Sequence, residues 1–387
     1  MLDILEHPVV DTHCHAFLPE KETDSFEQYL TLADHPVPKI DMINTFIYRQ
    51  VVRELSRVLD IKGTNEEIIE ERNKRYKQDA VGYIKLLFED ANIDTLLVDT
   101  GYPAEEFSGY SIDLKDFSKL VPCKVREIFR IDIVVYNLLK SQLNFDVAVE
   151  KFHEEVKNAV KNGAVSLKSV IAYRTGLEIQ RNTKDEVEKV YDKFIAEARS
   201  GKTIRDILFS RSKHVKTVYD YFVVLGVEDS VELDVPFQIH AGMGDAPFID
   251  LRLANPILLH DLINDESAKK AKIILTHGGY PYLEEAGFLV NTYPNVFLDL
   301  SETIPFISIG IKEKLLNLFE MAPTNKIMYG SDGYNIPELH WISSIQTKKA
   351  LSTALNELVE SKEIDEECAD NIAKQFLSDN AKRIYNL

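Results

Sequence analysis

Residues 9–15 read Val-Val-Asp-Thr-His-Cys-His, an apolar start followed by a polar stretch that carries two histidines. The β-branched valines favour a buried β-strand. Because successive side chains of a strand point to opposite faces, His13 and His15 share one face, and Asp11 lies below them on the same face. A His-X-His pair also arises by chance in an alternating strand. The residues at the ends of the other strands therefore decide what this pair means.

Short apolar segments of this kind recur along the chain and are separated by longer segments with helical periodicity. The predicted strands are Val9–His15, Ile93–Thr100, Lys124–Asp132, Ala164–Ala172, Pro236–Gly242, Lys272–Gly278, Val296–Ser301 and Ile327–Gly333. The predicted helices include Phe145–Lys161, Asp185–Ser200, Pro256–Asp265, Leu351–Glu360 and Asp365–Tyr385. Strict alternation of strands and helices favours a parallel α/β fold, the (β/α)8 TIM barrel. The alternative is a doubly wound open sheet, but no GxGxxG motif follows any predicted strand.

Two connections are too long for a bare barrel, about 16–92 and about 173–235. Both contain charged segments with helical periodicity, such as Thr64–Lys77, so we expect ordered helical insertions after strands 1 and 4. They leave from the carboxyl ends of strands, where such barrels carry their active sites, and could cover a cavity there. No repeat, low-complexity tract or linker divides the chain. We therefore predict a single domain over residues 1–387.

Composition and charge limit the possible functions. The chain has 387 residues and a formal net charge of −18, which repels nucleic-acid phosphates and anionic lipids. Its three cysteines lie far apart, match no CxxC pattern and indicate a reducing cytoplasm. No apolar run reaches the length of a membrane helix, and no signal peptide is recognisable. We expect a cytoplasmic protein that acts on a small-molecule substrate, without nucleic-acid or membrane partners.

Potential metal ligands recur at the ends of the predicted strands. Lys168 lies on the inward parity of strand 4, His240 and His277 lie near the ends of strands 5 and 6, and Asp332 lies near the end of strand 8. Any one of these residues is weak evidence, because a single buried histidine is more often a hydrogen-bonded core residue. Their convergence on one mouth, together with the histidines of strand 1, favours a metal site. Imidazoles with carboxylates suit zinc, manganese or iron.

The order and placement of these motifs resemble the amidohydrolase superfamily, in its branch of predicted metal-dependent TIM-barrel hydrolases. Three further stretches carry the resemblance: Thr-His-Gly-Gly-Tyr-Pro at 276–281, Pro-Asn-Val-Phe-Leu-Asp-Leu-Ser at 294–301 and Asp-Asn-Ala-Lys-Arg-Ile-Tyr at 379–385. The similarity runs from strand 1 to the end of the chain, except in the two insertions. No single motif is specific, but the ordered set is.

The resemblance implies a role for each matching residue. His13, His15 and Asp332 would bind the more buried cation, His240 and His277 a second one, and a carbamylated Lys168 would bridge two ions, most simply zinc. A protonated lysine would repel two cations, whereas its carbamate is an anionic ligand. The implied nucleophile is a metal-activated hydroxide, with Asp332 as the proton shuttle. Catalytic roles therefore fall to Asp332, His277 and Lys168, and the family implies a homo-oligomer.

The substrate and the reaction are less closely defined. Arg174 and Arg130 are candidates to bind a substrate carboxylate, with Tyr173 beside them, although each arginine could equally form a structural salt bridge. The reaction we favour is hydrolysis of an amide or related C–N bond in a small, carboxylate-bearing substrate. The alternative is a mononuclear decarboxylase, lyase or isomerase of the same superfamily, with unmodified Lys168 and with His277 as proton donor. A third possibility is a barrel retained only for binding. His340 and Trp341 are expected on a loop after strand 8.

Overall fold

The eight strands form one sheet in sequence order, β1 to β8, in a computed structural model that describes residues 4–21, 25–104, 108–202 and 212–387. Their bounds are β1 Val9–Cys14, β2 Ile93–Asp99, β3 Lys124–Arg130, β4 Ala164–Ser169, β5 Phe237–His240, β6 Ile273–Thr276, β7 Val296–Asp299 and β8 Ile327–Met328. The pairs β1–β2, β3–β4, β4–β5, β5–β6 and β6–β7 are parallel. Parallel strands in sequence order with helices between them are the (β/α)8 arrangement, so the predicted fold class is confirmed.

At least one helix lies between each strand and the next, as parallel pairing requires of the connections. They are α1 Lys39–Met42, α2 Phe46–Val58, α3 Asn65–Gln78, α4 Ala80–Asp90, α5 Leu114–Phe117, α6 Ile131–Lys140, α7 Phe145–Lys161, α8 Lys184–Arg199, α9 Lys213–Glu232, α10 His260–Asn264, α11 Leu283–Thr292, α12 Thr303–Ile307, α13 Ile311–Phe319, α14 Pro337–Glu360, α15 Glu366–Lys374 and α16 Asn380–Tyr385. None of the helices in the described ranges has a stretch long and apolar enough to cross a bilayer.

The chain divides into two compact units. The first comprises residues 1–126, 244–247 and 299–383, and the second comprises residues 127–243, 248–298 and 384–387. The first unit contains β1, β2 and β8 with α1–α5 and α12–α15, and the second contains most of β3, strands β4–β6 and α6–α11. Each has its own buried apolar residues, for example Leu55 and Leu97 in the first and Leu167 and Phe222 in the second. The assignment of a single domain stays a prediction.

Both predicted insertions contain helices. The first holds α1–α4, and α3 begins with a capping box in which Thr64 and Glu67 satisfy each other's backbone N–H groups. The second holds α8 and α9, and α8 begins with a second capping box, formed by Thr183 and Glu186. Residues 203–211 of the second insertion lie outside the described part of the chain.

The predicted strands begin close to the observed ones but extend too far at their carboxyl ends. Strand β8 ends at Met328 rather than Gly333, and β6 ends at Thr276 rather than Gly278. The residues beyond leave the strand conformation, because Asp332 has a φ of 51° and His277 a φ of 74°. The prediction that His340 and Trp341 lie on a loop is also wrong, since both residues lie at the start of α14, which begins at Pro337.

Candidate metal centre

A histidine–aspartate cluster lies at the end of β1 in the first unit. The Nε2 atoms of His13 and His15 lie 3.2 Å and 3.4 Å from the same carboxylate oxygen, Oδ1 of Asp332. All three side chains are buried, and their ligand atoms lie within 4.8 Å of one another. Two imidazole nitrogens and one carboxylate oxygen grouped this closely are a suitable donor set for a divalent cation.

The backbone explains why Asp332 lies beside the two histidines. The chain after β8 runs alongside β1, because the N–H of Asp332 donates to the carbonyl of His13 and the N–H of His15 donates to the carbonyl of Gly333, both at 2.8 Å. The left-handed φ of Asp332 then directs its side chain toward the histidines, which an extended residue at this point would not do. A non-glycine residue adopts this conformation only where its surroundings hold it.

Asp99, the last residue of β2, orients the histidines. Its backbone carbonyl lies 3.2 Å from Nδ1 of His15 and accepts a hydrogen bond from it. This bond places the ring proton of a neutral His15 on Nδ1 and leaves Nε2 to bind a cation. The side chain of Asp99 is buried, and its Oδ2 lies 4.0 Å from Nε2 of His13. Sequence reasoning missed this residue, although a carboxylate at the end of a predicted strand was a usable signal.

Asp11 ties the two ligand-bearing segments together below the cluster. It accepts hydrogen bonds from the backbone N–H of Ser331 at 2.8 Å, from the Ser331 hydroxyl at 2.5 Å and from the N–H of His13 at 3.3 Å. Burial raises the pKa of Asp11 to about 7, although these hydrogen bonds oppose the rise. The residue therefore supports the geometry of the site from beneath rather than facing a substrate.

A second pair of histidines lies in the second unit. His240 ends β5 and His277 follows β6, and their ring centroids are 4.3 Å apart. His240 and Thr276 are register partners, so a continued strand would point His277 to the opposite face; its left-handed φ turns it back. The loops after β5 and β6 also approach closely at Gly242, where a Cβ atom would lie 2.4 Å from the backbone of Gly279.

Lys168 is fully buried in β4. Its register partners are Arg130 on β3 and Gln238 on β5, so it lies on the same parity as His240, as predicted. A fully buried ammonium group is costly, whereas a carbamate could serve as a ligand. The prediction of carbamylation is compatible with this placement and stays a prediction.

The predicted substrate residues lie near one another in the second unit. Asp132, at the start of α6, is buried; burial raises the pKa of its carboxyl group, and the charges of Arg174 and Arg130 counter the rise. Its Oδ2 accepts the N–H of Val170, which fixes the loop that carries Arg174. Burial also raises the pKa of Tyr219, from α9, which bonds to Arg174. Sequence reasoning missed Asp132 and Tyr219.

Tyr173 lies against the second histidine pair. Its ring centroid is 4.6 Å from that of His240, and the side chain is half-buried. Tyr173 ends a short 3-10 turn after β4, and Arg174 follows it directly, so the two predicted substrate residues belong to one loop. This loop opens the second insertion.

A family model and a curated protein are similar to this chain. Residues 197–387 match the family model described as amidohydrolase. Protein fluG of Emericella nidulans is 26% identical over 416 aligned positions, which cover 99% of this chain and 46% of fluG. The chain thus spans about half the length of this curated relative.

Solved structures show the same fold. A proposed metal-dependent hydrolase from Lactobacillus casei ATCC 334 has a TM-score of 0.83 at 24% identity, with 99% of this chain and 96% of that chain covered. The uronate isomerase of Thermotoga maritima has a TM-score of 0.71 at 14% identity, with 98% and 95% covered. The family match and the histidine–aspartate cluster agree with the motifs on which the resemblance rested. Over residues 197–387 the chain is therefore similar to the amidohydrolase family, and over nearly its whole length it shares the fold of these two solved structures.

Proposed function

We propose that this protein hydrolyses an amide or related C–N bond of a small, carboxylate-bearing substrate. The observation that carries the proposal is the convergence of His13, His15 and Asp332, whose ligand atoms lie within 4.8 Å of one another in a buried site. The second histidine pair and the buried Lys168 offer ligands for a second cation in the second unit.

Each cluster would hold one divalent cation. His13, His15 and Asp332 would bind the first, and His240, His277 and a carbamylated Lys168 the second, with zinc as the simplest choice and manganese or iron as substitutes. A bound cation of this kind lowers the pKa of a water ligand and polarises a carbonyl group. The ligand set does not discriminate among these metals, because all three accept imidazole and carboxylate ligands.

Asp332 has a second task in this proposal. Its carboxylate accepts a proton from the attacking water and returns it to the leaving nitrogen, so that the amine departs neutral. The position of Asp332 suits this role, because the residue is 9% exposed while its Oδ1 faces both histidines. Its left-handed backbone fixes the carboxylate, which keeps the proton transfer short.

Arg174 and Arg130 would bind the carboxylate of the substrate. The charges of both guanidinium groups act on the carboxylate of Asp132, so two positive charges are matched by one negative charge in this comparison. An arginine fork binds a carboxylate through two parallel hydrogen bonds, which fixes its orientation. Tyr173 lies next to Arg174 on the same loop and could contact the substrate beside it.

The alternative is a mononuclear lyase or isomerase. One observation favours it: His13, His15 and Asp332 form a complete three-ligand set without any contribution from Lys168. In that case Lys168 stays unmodified, and His277 donates the proton.

The experiment that tests the proposal is metal content per chain, measured by elemental mass spectrometry on protein purified without chelator and with bicarbonate present. We expect about two ions, with loss of metal and activity in His13→Ala and a lower metal content in Lys168→Ala. His260→Ala is the matched control, because that imidazole is 61% exposed and should change neither value.

If His13→Ala has the metal content and turnover of the wild type, the assignment of the metal site is wrong. About one ion per chain, insensitive to Lys168→Ala, would support the lyase or isomerase instead. A panel of N-acyl amino acids, amino-acid amides and sugar acids then separates the two reactions, because hydrolysis releases a new amine and acid.

A further inference from the structure

His340 lies fully buried against the histidine–aspartate cluster without being a member of it. It belongs to the first turn of α14, and its ring packs between Phe17 and Phe88, at centroid distances of 5.3 Å and 5.8 Å. Its Nε2 lies 3.2 Å from the backbone carbonyl of His15. Because a carbonyl oxygen only accepts, the imidazole donates its N–H in this bond.

His340 also fixes the loop that carries Asp332. A Cβ atom on Gly333 would lie 2.3 Å from Nδ1 of His340, so the ring occupies the space in which any other residue would place a side chain. Gly333 is joined in turn to His15, because its carbonyl accepts the N–H of that residue at 2.8 Å. One imidazole therefore contacts the two backbone segments that carry His15 and Asp332.

The first insertion holds the turn of α14 that carries His340. Glu338, two residues earlier and fully buried, accepts hydrogen bonds from Nε and Nη2 of Arg72 at 2.5 Å and 2.9 Å and from the hydroxyl of Tyr83 at 2.7 Å. Arg72 lies on α3 and Tyr83 on α4. Phe88, which packs against the His340 ring, also lies on α4. Packing and hydrogen bonds thus run continuously from the insertion to the ligands.

We propose that His340 is a positioning residue that sets the separation of His15 and Asp332, and that the first insertion holds His340 in place through Glu338. The inference rests on the proposed function only in taking His13, His15 and Asp332 as cation ligands. His340 contacts no substrate. Its effect is to pre-organise the ligands, so its loss should appear first in the affinity for metal.

The test is Zn²⁺ affinity of the apoprotein, measured by competition with a chromophoric chelator in a His277→Ala background, so that the His13 cluster dominates the titration. His340→Phe keeps an aromatic ring between Phe17 and Phe88 but cannot donate, and we expect Zn²⁺ binding about 10- to 100-fold weaker. His340→Gln keeps an N–H donor and should recover most of the affinity. Glu338→Gln should weaken binding about threefold, through the same turn of α14.

Trp341→Phe is the matched control. Trp341 is equally buried in the same helix turn and donates to Asp90 rather than to the cluster, so its replacement should lower the melting temperature and leave Zn²⁺ affinity within about twofold. Wild-type affinity in His340→Phe, or equal weakening in Trp341→Phe, would overturn the inference. If His340→Phe does not fold, Glu338→Gln is the test, and wild-type Zn²⁺ affinity in that variant would overturn the inference.

The two proposals fail in different ways. If the His277→Ala protein binds no Zn²⁺, or binds it just as well after His13→Ala, then the assignment of the ligands is wrong. If binding depends on His13 but not on His340, only the positioning role is wrong.

Discussion

The buried ion pair between Arg72 and Glu338 gives the most quantitative prediction. Both side chains are almost completely buried, at 1% and 0% exposure. Arg72→Met removes two charge-assisted hydrogen bonds and leaves the Glu338 carboxylate buried with the Tyr83 hydroxyl. It also removes the guanidinium from the face of the Tyr76 ring, 4.5 Å from the centroid.

The expected magnitude follows from these contacts. Breaking a buried ion pair by removing one partner costs about 3–5 kcal/mol, because the other charge stays buried. The lost contact with the aromatic ring adds about 0.5–2 kcal/mol. We therefore expect Arg72→Met to lower the free energy of unfolding by about 3.5–7 kcal/mol. Glu338→Gln leaves the positive charge of Arg72 buried without its carboxylate partner and should also lower the free energy of unfolding.

The assay is urea unfolding of the apoprotein, followed by circular dichroism, for wild type, the two single variants and the double variant. The double variant removes both charges, so it should lose about 2 kcal/mol less than the sum of the single variants. Arg53→Met is the control, because its guanidinium is 64% exposed although it also pairs with a glutamate, and it should cost at most about 1 kcal/mol. A loss below about 1 kcal/mol in Arg72→Met, or additivity within about 0.5 kcal/mol, would refute the reasoning.

Three further predictions concern the site and its pH dependence. Asp332→Asn should keep most of the metal, measured by elemental mass spectrometry, but lower kcat by about 10²- to 10⁴-fold. An unchanged kcat would show that Asp332 does not transfer the proton. Arg174→Met should raise KM about 10- to 100-fold for carboxylate substrates alone. An equal rise for neutral analogues would show that the arginine has a structural role instead. Burial alone would raise the pKa of Glu54, but hydrogen bonds from Lys349, Arg57 and Arg53 lower it to about 2. The ionised Glu54 therefore stabilises the folded protein above pH 4.5, and this stabilisation is lost as the pH falls toward 2. In Glu54→Gln, the free energy of unfolding measured across this pH range should fall by about 1–2 kcal/mol less than in the wild type.

The sequence predicted what depends on local patterns. Helix α7 has the predicted bounds, Phe145–Lys161, because its apolar face repeats at helical spacing and Asn144 caps its first turn. The strands were found for the same reason, since each is a short apolar run between turn residues. The grouping of His13, His15 and Asp332 followed from a topological rule, namely that the carboxyl ends of parallel strands meet at one edge.

What the sequence did not predict depends on contacts between distant residues. Asp132 ends a predicted strand and Tyr219 lies within the second insertion, and only the folded chain brings them to Arg174. Strands β6 and β8 were predicted too long because no local pattern reveals that the backbone turns to positive φ at His277 and Asp332. His340 was placed on a loop because the start of α14, Pro-Glu-Leu-His-Trp at 337–341, mixes polar and apolar residues without a clear helical period.

The histidine–aspartate cluster joins the first and last strands, and this has a consequence for biosynthesis. Asp11 and Ser331, which tie its two halves together, are 320 positions apart. Contacts of such long range form late, because a large loop must close before they contribute. On the ribosome, His13 and His15 emerge early but cannot meet their carboxylate until the segment with Asp332 has left the exit tunnel. All three proposed ligands can therefore hold a cation only after residue 332 has left the tunnel, and ribosome-bound fragments that stop before residue 332 should hold no ion there.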